Sequence, residues 1–361
     1  MDELGAHSLA EILSQHESWQ DAAVGAEAAS AAVSDLFHRF AADPLLFVAC
    51  GSPYFLARSA VTLTMEWLGR LAVAVPSSEL LLQPDTVIAP GQRPLMIALS
   101  RSGETSETIG AARQIKARGG EVIAIGCDAE TTLMRMAGCV IEIPAGRERS
   151  LAQTRSFSGM FLAVSMLLAN LSQRGPAAEF QAALQGLPRR GEHFVARARA
   201  EIGQLAVDPK IERIIFLGSG ARYGLACEAA LKMKEMSLTN SEAFHVLEYR
   251  HGPMALADEH ALIVGMIGAS APEEELAVLR EAHAAGARTL ALIEHTPADT
   301  TGLDGIFAFD SGLPAPARDL LYLPPAQLLA YERAIAKGVN PDTSRNLAAF
   351  IRRPSLAELG G

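Results

Sequence analysis

Five hydroxyl side chains fall within nine residues at 100–108: Ser100, Ser102, Thr105, Ser106 and Thr108, with Gly103 among them. An apolar run at 96–99 precedes them and reads as a buried strand, and a helical pattern starts near Thr105 or Ser106. Hydroxyls and backbone N–H groups at a helix N-terminus suit a phosphate, through direct hydrogen bonds and through the helix dipole. Gly103 lets the backbone come close to the anion. A capping box with Thr105 or Ser106 as the cap is the simpler alternative, but a cap needs one hydroxyl and this loop has five. Ligands of open parallel sheets bind outside the carboxyl ends of strands, and Gly51–Ser52, after an earlier apolar run, should open on the same edge.

Two other groups of residues have spacing that allows chemistry. Glu228, Lys232 and Glu235 lie at i, i+4 and i+7 on one face of a helical stretch. On spacing alone they read as a solvated stripe with one surface ion pair worth about a few tenths of a kcal/mol. His251 stands before Gly252 and Pro253, hence in a turn, where a histidine is more often functional than on a buried face. By itself it is evenly balanced between the two roles. The glycines at 218–224 follow GxGxxxG, one residue too long for a dinucleotide fingerprint.

The elements that must position these residues alternate between strand-like and helical patterns, as in parallel sheets covered by helices. Strands are expected at 45–49, 71–75, 96–99, 121–125 and 140–143, with helices at 54–68, 106–117, 157–172 and 176–207 and a break at 173–176. The pattern restarts with strands at 213–217, 262–267, 289–293 and 306–309 and helices at 223–237 and 325–337. A strand followed by Gly-Ser occurs in both halves, at Gly51 and at Gly218. A helix–Gly–strand landmark follows each at nearly equal offset, at Gly120 and Gly286, which points to tandem duplication. The expected layout is an N-terminal helical segment at 1–30, a first domain at 31–175, a connecting helix at 176–205, a second domain at 206–339 and a tail at 340–361.

Composition narrows the functional classes. A chain of 361 residues favours two cores over one, and 49% hydrophobic residues supply them. A net charge of −10 argues against broad nucleic-acid binding, although a phosphate held by local donors remains compatible with it. No apolar run reaches the roughly 18–20 residues of a membrane helix, and the N-terminus lacks the pattern of a secretory signal. Cys50, Cys127, Cys139 and Cys227 sit singly in apolar stretches and read as reduced, buried thiols, so a cytoplasmic protein is expected.

The segments SRSGETSET, CEAALKMKEMS, SEAFHVLEYRHGPMAL and GVNPDTSRNLA resemble the isomerase half of glucosamine-6-phosphate synthase and its stand-alone double-SIS (sugar isomerase) relatives, over roughly residues 40–350. The resemblance implies an α/β fold of two tandem flavodoxin-like SIS domains, each a parallel sheet flanked by helices, in a homodimer with shared active sites. It places phosphate-binding hydroxyls at Ser52, Ser100, Ser102 and Thr105, a proton-shuttling glutamate at Glu235, and a ring-opening histidine from the neighbouring subunit at His251. Glu228 and Lys232 would line the sugar, which reverses the reading of that stripe as solvated.

Four departures from the family pattern matter. Asp2 stands where the synthase carries its glutaminase cysteine, so glutamine-dependent synthesis is not expected. Ala349 replaces a tail lysine, which removes Schiff-base chemistry there. Pro53 replaces a phosphate-binding serine, and Arg101 replaces a glutamine, either adding charge to phosphate binding or pointing to solvent.

Aldose–ketose interconversion needs an open-chain sugar, a base between C1 and C2 and stabilisation of an enediolate, and a carboxylate in a dry cleft suits the shuttle. His251 would open the ring. No metal and no cofactor are required. The reaction expected is deamination and isomerisation of a hexosamine 6-phosphate to fructose 6-phosphate and ammonia. Isomerisation without amine loss, or fructosamine-6-phosphate deglycation, is the alternative. A non-catalytic sugar-phosphate sensor is the reading from another class.

Overall fold

The computed structural model describes residues 4–174, 177–353 and 355. Residue 2, the second half of the expected break at 173–176, and residues 356–361 of the expected tail lie outside the described residues.

Five strands, β1 (Leu45–Ala49), β2 (Ala72–Pro76), β3 (Leu95–Leu99), β4 (Glu121–Gly126) and β5 (Cys139–Glu142), form one sheet in the order β2-β1-β3-β4-β5. All its pairings are parallel. Residues of β1 and β3 are buried throughout, as uninterrupted apolar runs demand when both faces of a sheet are covered. Helices Ser52–Leu68 and Ser106–Ala117 make the crossovers from β1 to β2 and from β3 to β4. Leu46, Val48, Met96, Ala98 and Val122 pack with Ile109, Ala112 and Ile115 of the second of these helices.

A second sheet repeats the plan with β6 (Arg213–Gly218), β7 (Asn240–Phe244), β8 (Ala261–Met266), β9 (Arg288–Ile293) and β10 (Gly305–Ala308), in the order β10-β9-β8-β6-β7. Here too the pairings are parallel. Read from its other edge, this sheet too runs second, first, third, fourth, fifth, which is the doubly wound flavodoxin-like order. The backbone supports the duplication and corrects its register. Gly51 precedes its helix at φ 62, ψ −133, and Gly220 precedes helix Ala221–Ser237 at φ 61, ψ −135. Gly51 therefore corresponds to Gly220, two residues beyond the Gly218 that the sequence suggests. The first amide after β3, of Ser100, bonds to Ile125 in β4; the first after β8, of Ile267, bonds to Leu292 in β9.

Several elements carry no expectation from the sequence, among them one strand and one long helix of the second sheet's unit. β7 reads Asn-Ser-Glu-Ala-Phe, too polar to register as a buried run, and it is an edge strand paired only with β6. Helix Pro272–Ala284 does carry start signals, a proline at its first position and Glu273, Glu274 and Glu275 in the first turn.

The chain divides into two compact units. The amino-terminal unit holds Ser14–Glu148, Arg155–Arg189 and the tail from Ala348 onward. The carboxyl-terminal unit holds Arg149–Thr154, Arg190–Leu347 and the residues up to Leu13. In the former, helix Gln15–Arg39 packs along helix Arg155–Leu171, with the Trp19 indole donating to Ser158 Oγ at 2.8 Å. In the latter, Asp342 accepts the amides of His7 and Ser8. Among the described residues no helix is long and apolar enough to cross a membrane. None of the four cysteines is in a disulfide.

Candidate functional site

In the amino-terminal unit β1 and β3 are neighbours at the point where strand order reverses, so the turns after them share one crevice. Ser52 is the first residue of its helix and is buried, as is Ser100 at the end of β3. A Cβ added at Gly51 would meet nothing within 4 Å, so the backbone there is open to approach.

Hydrogen bonds shape the loop from Ser100 to Thr105. Ser100 Oγ accepts the Gly103 amide at 3.1 Å, Ser102 Oγ accepts the Glu104 amide at 3.2 Å, and the Ser102 and Thr105 hydroxyls lie 3.4 Å apart. Gly103 has φ +59, and a Cβ there would overlap the Thr131 side chain, so no other residue fits this turn. The Glu104 carboxylate accepts the Thr132 amide at 2.7 Å and its hydroxyl at 3.2 Å, pinning the loop to the turn after β4. Thr105 occupies the N-cap position of helix Ser106–Ala117 but makes no side-chain cap bond. The capping alternative therefore fails at the hydroxyl on which it depends. Behind the loop, Thr108 bonds to Ser77 at 3.1 Å and to the Cys50 thiol at 3.8 Å, and burial raises that thiol's pKa.

The Arg101 side chain is largely covered and does not point to solvent. Its guanidinium pairs with Glu148 at 3.1 Å, with side-chain exposures of 10% and 0%, and donates to the Ala349 carbonyl at 3.2 Å. Glu148 went unnoticed in the sequence because nothing in the run Arg147-Glu148-Arg149 distinguishes a buried carboxylate from a surface charge.

The carboxyl-terminal unit carries the ionisable cluster. Glu228 and Lys232 are each 1% exposed on helix Ala221–Ser237, and Glu235 is 19% exposed. The Lys232 ammonium stands 3.5 Å from Glu228 and is paired more closely with Glu235. Burial rules out a solvated stripe. Two carboxylates share one ammonium out of water, with Glu235 at the accessible end, an arrangement suited to passing a proton. His251 caps the short 3-10 turn Leu247–Arg250 and is exposed on its own chain. Nearby, Tyr249 is buried, and desolvation pushes its hydroxyl up to about 12.

The two units do not offer equivalent loops. By the corrected register Ser52 corresponds to Ala221, and Ser100, Arg101 and Ser102 correspond to Ile267, Gly268 and Ala269. In the second loop the Gly268 amide donates to Glu275 at 2.6 Å, and that carboxylate is paired with Arg222 at 3.2 Å.

Strand order and loop chemistry define a duplicated, doubly wound α/β protein with a hydroxyl-rich turn at the switch point of one sheet. The family model described as the SIS domain matches residues 40–170 and 209–300, and the chain belongs to that family. It is homologous to the isomerase half of glutamine–fructose-6-phosphate aminotransferase. Such an enzyme from Gloeobacter violaceus is 33% identical over 331 residues, 88% of this chain and 53% of that protein, so the chain spans about half the length of such relatives. Among solved structures, glucosamine-6-phosphate deaminase from Thermotoga maritima aligns with TM-score 0.76 and 26% identity, covering 96% of this chain and 99% of that one. The C-terminal domain of glucosamine-fructose-6-phosphate aminotransferase from Francisella tularensis aligns with TM-score 0.83 and 25% identity, covering 94% and 99%.

Proposed function

We propose that the chain is a phosphosugar isomerase that deaminates a hexosamine 6-phosphate, giving fructose 6-phosphate and ammonia. The observation that carries this reading is the Glu228–Lys232–Glu235 cluster, buried except at the Glu235 carboxylate. Likeness over nearly the whole of both chains to the Thermotoga maritima deaminase favours loss of the amine.

In this reading Ser52, Ser100, Ser102 and Thr105 hold the phosphate, whose binding energy orients the sugar carbons. Glu235 takes the proton from C2 of the open-chain aminoaldose and returns it to C1, which leaves an imine at C2. Water adds to that carbon, ammonia departs, and the ketose remains. Glu228 and Lys232 keep the shuttling carboxylate in place beside the sugar. His251, exposed on its own chain, opens the ring in the site of a second copy within a homodimer.

The deciding assay is ammonia release from glucosamine 6-phosphate. Activity should be lost in Glu235→Gln and in His251→Ala, and partly restored when the two inactive variants are mixed and allowed to exchange subunits. Silence of the unaltered protein toward all amino-sugar phosphates would overturn deamination. Conversion of fructose 6-phosphate without ammonia would then leave simple isomerisation.

A further inference from the structure

The tail from Ala349 to Arg353 lies against the loop assigned above to the phosphate. The Ile351 carbonyl accepts the Ser106 amide at 3.1 Å, and the Arg353 amide donates to Ser106 Oγ at 2.7 Å. The Arg352 guanidinium reaches Glu104 at 3.4 Å. The Ser106 amide is one of the donors left over at the start of a helix, so the tail satisfies that donor and braces the end of the loop.

One side chain ties this tail to the interior. Arg101 sits in the middle of the loop, and its forked guanidinium serves two acceptors at once, the Glu148 carboxylate with one nitrogen and the Ala349 carbonyl with another. Glu148 also accepts the amide of Ser156 at 3.1 Å and its hydroxyl at 2.6 Å, at the start of helix Arg155–Leu171. A fully buried carboxylate fixed to a helix needs a cation beside it, so the position of Arg101 is set by Glu148. The Nη2 arm of the fork then sets the position of the tail.

We infer that Arg101 is a positioning residue: it holds the tail on the phosphate loop through Ala349 and does not itself bind the phosphate. The inference rests on assigning the sugar phosphate to Ser100–Thr105, and it deepens that assignment by naming what holds the loop in its binding shape.

The test is Arg101→Lys. A lysine keeps a positive charge for Glu148, so the fold is spared an uncompensated buried anion, but it lacks the fork that reaches a second acceptor. Limited trypsin cleavage at the Arg352–Arg353 bond should speed up about tenfold, and the affinity for inorganic phosphate, read from thermal stabilisation, should fall about tenfold. On the sugar phosphate KM should rise by about the same factor with kcat little changed. Truncation after Leu347 should reproduce both losses of affinity, and Arg101→Lys should add nothing to it, since one contact cannot be removed twice. Weakened phosphate binding with the tail still protected would make Arg101 a direct ligand and overturn the inference, as would a released tail with phosphate affinity unchanged. Cleavage and phosphate affinity are read without turnover, so they stand or fall separately from the deaminase reading.

Discussion

Lys232→Met is the most informative perturbation of the buried cluster. At the 3.5 Å separation from Glu228, two unit charges attract by about 5 kcal/mol at an effective dielectric near 20. Removing one member of a buried pair typically costs about 3–5 kcal/mol, because the other charge keeps its desolvation penalty. Lys232→Met should therefore destabilise the carboxyl-terminal unit by about 3–5 kcal/mol, a large share of the roughly 5–15 kcal/mol that holds a domain together. The double variant Lys232→Met, Glu228→Leu replaces both charges with apolar groups and should regain most of that loss. Glu235→Gln should cost far less, within about 1 kcal/mol, since it leaves one ammonium facing one carboxylate. Trp19 and Trp67, the two tryptophans, both belong to the amino-terminal unit, so their fluorescence reports the wrong unit. Amide exchange in helix Ala221–Ser237 is the appropriate measurement, run across a denaturant series with constant slope. A loss below about 1 kcal/mol for Lys232→Met, or a double variant no more stable than the single, would refute a desolvated pair.

Gly103→Ala should distort the phosphate loop, because its φ is strained for any side chain and the new methyl collides with Thr131. We expect a stability loss of about 1–3 kcal/mol and a raised KM, checked by melting and by steady-state kinetics. Stability should also fall above about pH 9. Burial holds the Cys127 thiol up at about 12 against an ordinary 9.0, and the Tyr249 hydroxyl at about 12 against 10.0. Both groups ionise first in the unfolded chain, so their contribution is whole below those ordinary values and is lost as pH rises toward about 12. Melting temperatures from pH 8 to 11 that stay flat would contradict this.

Much of the fold was legible because buried parallel strands announce themselves: β1 and β3 are unbroken apolar runs, and their Gly-Ser and hydroxyl-rich continuations mark the crevice. Spacing also placed Glu228, Lys232 and Glu235 on one face. It did not tell whether that face was covered, since a period of 3.6 fixes direction around a helix and not what packs there. Arg101 was illegible for a related reason. Its partners lie 47 and 248 residues away, and nothing local in a turn dictates whether a long cation reaches outward or folds back. The duplication was visible but displaced, because Gly-Ser at 218–219 matches Gly-Ser at 51–52 by letters, whereas the backbone requires its positive φ at Gly220.

That displacement sets which residues of the two units correspond. With Gly51 set on Gly220, the loop Ser100–Ser102 falls on Ile267, Gly268 and Ala269, where no hydroxyl remains in the serine positions. The Gly268 amide faces a buried carboxylate of the protein itself, Glu275, which is neutralised by Arg222; that guanidinium also lies 3.9 Å from Asp319. An incoming phosphate would meet two fixed carboxylates and a donor already used, and would have to displace Glu275 from its pair to bind. In the amino-terminal loop the carboxylates are engaged differently: Glu104 is turned to Thr132, and the buried Glu148 is paired with the Arg101 guanidinium. One duplicated scaffold thus carries two turns of the same topology, one with hydroxyls at the serine positions and one without. In the function proposed above, the sugar phosphate takes the hydroxyl-lined one.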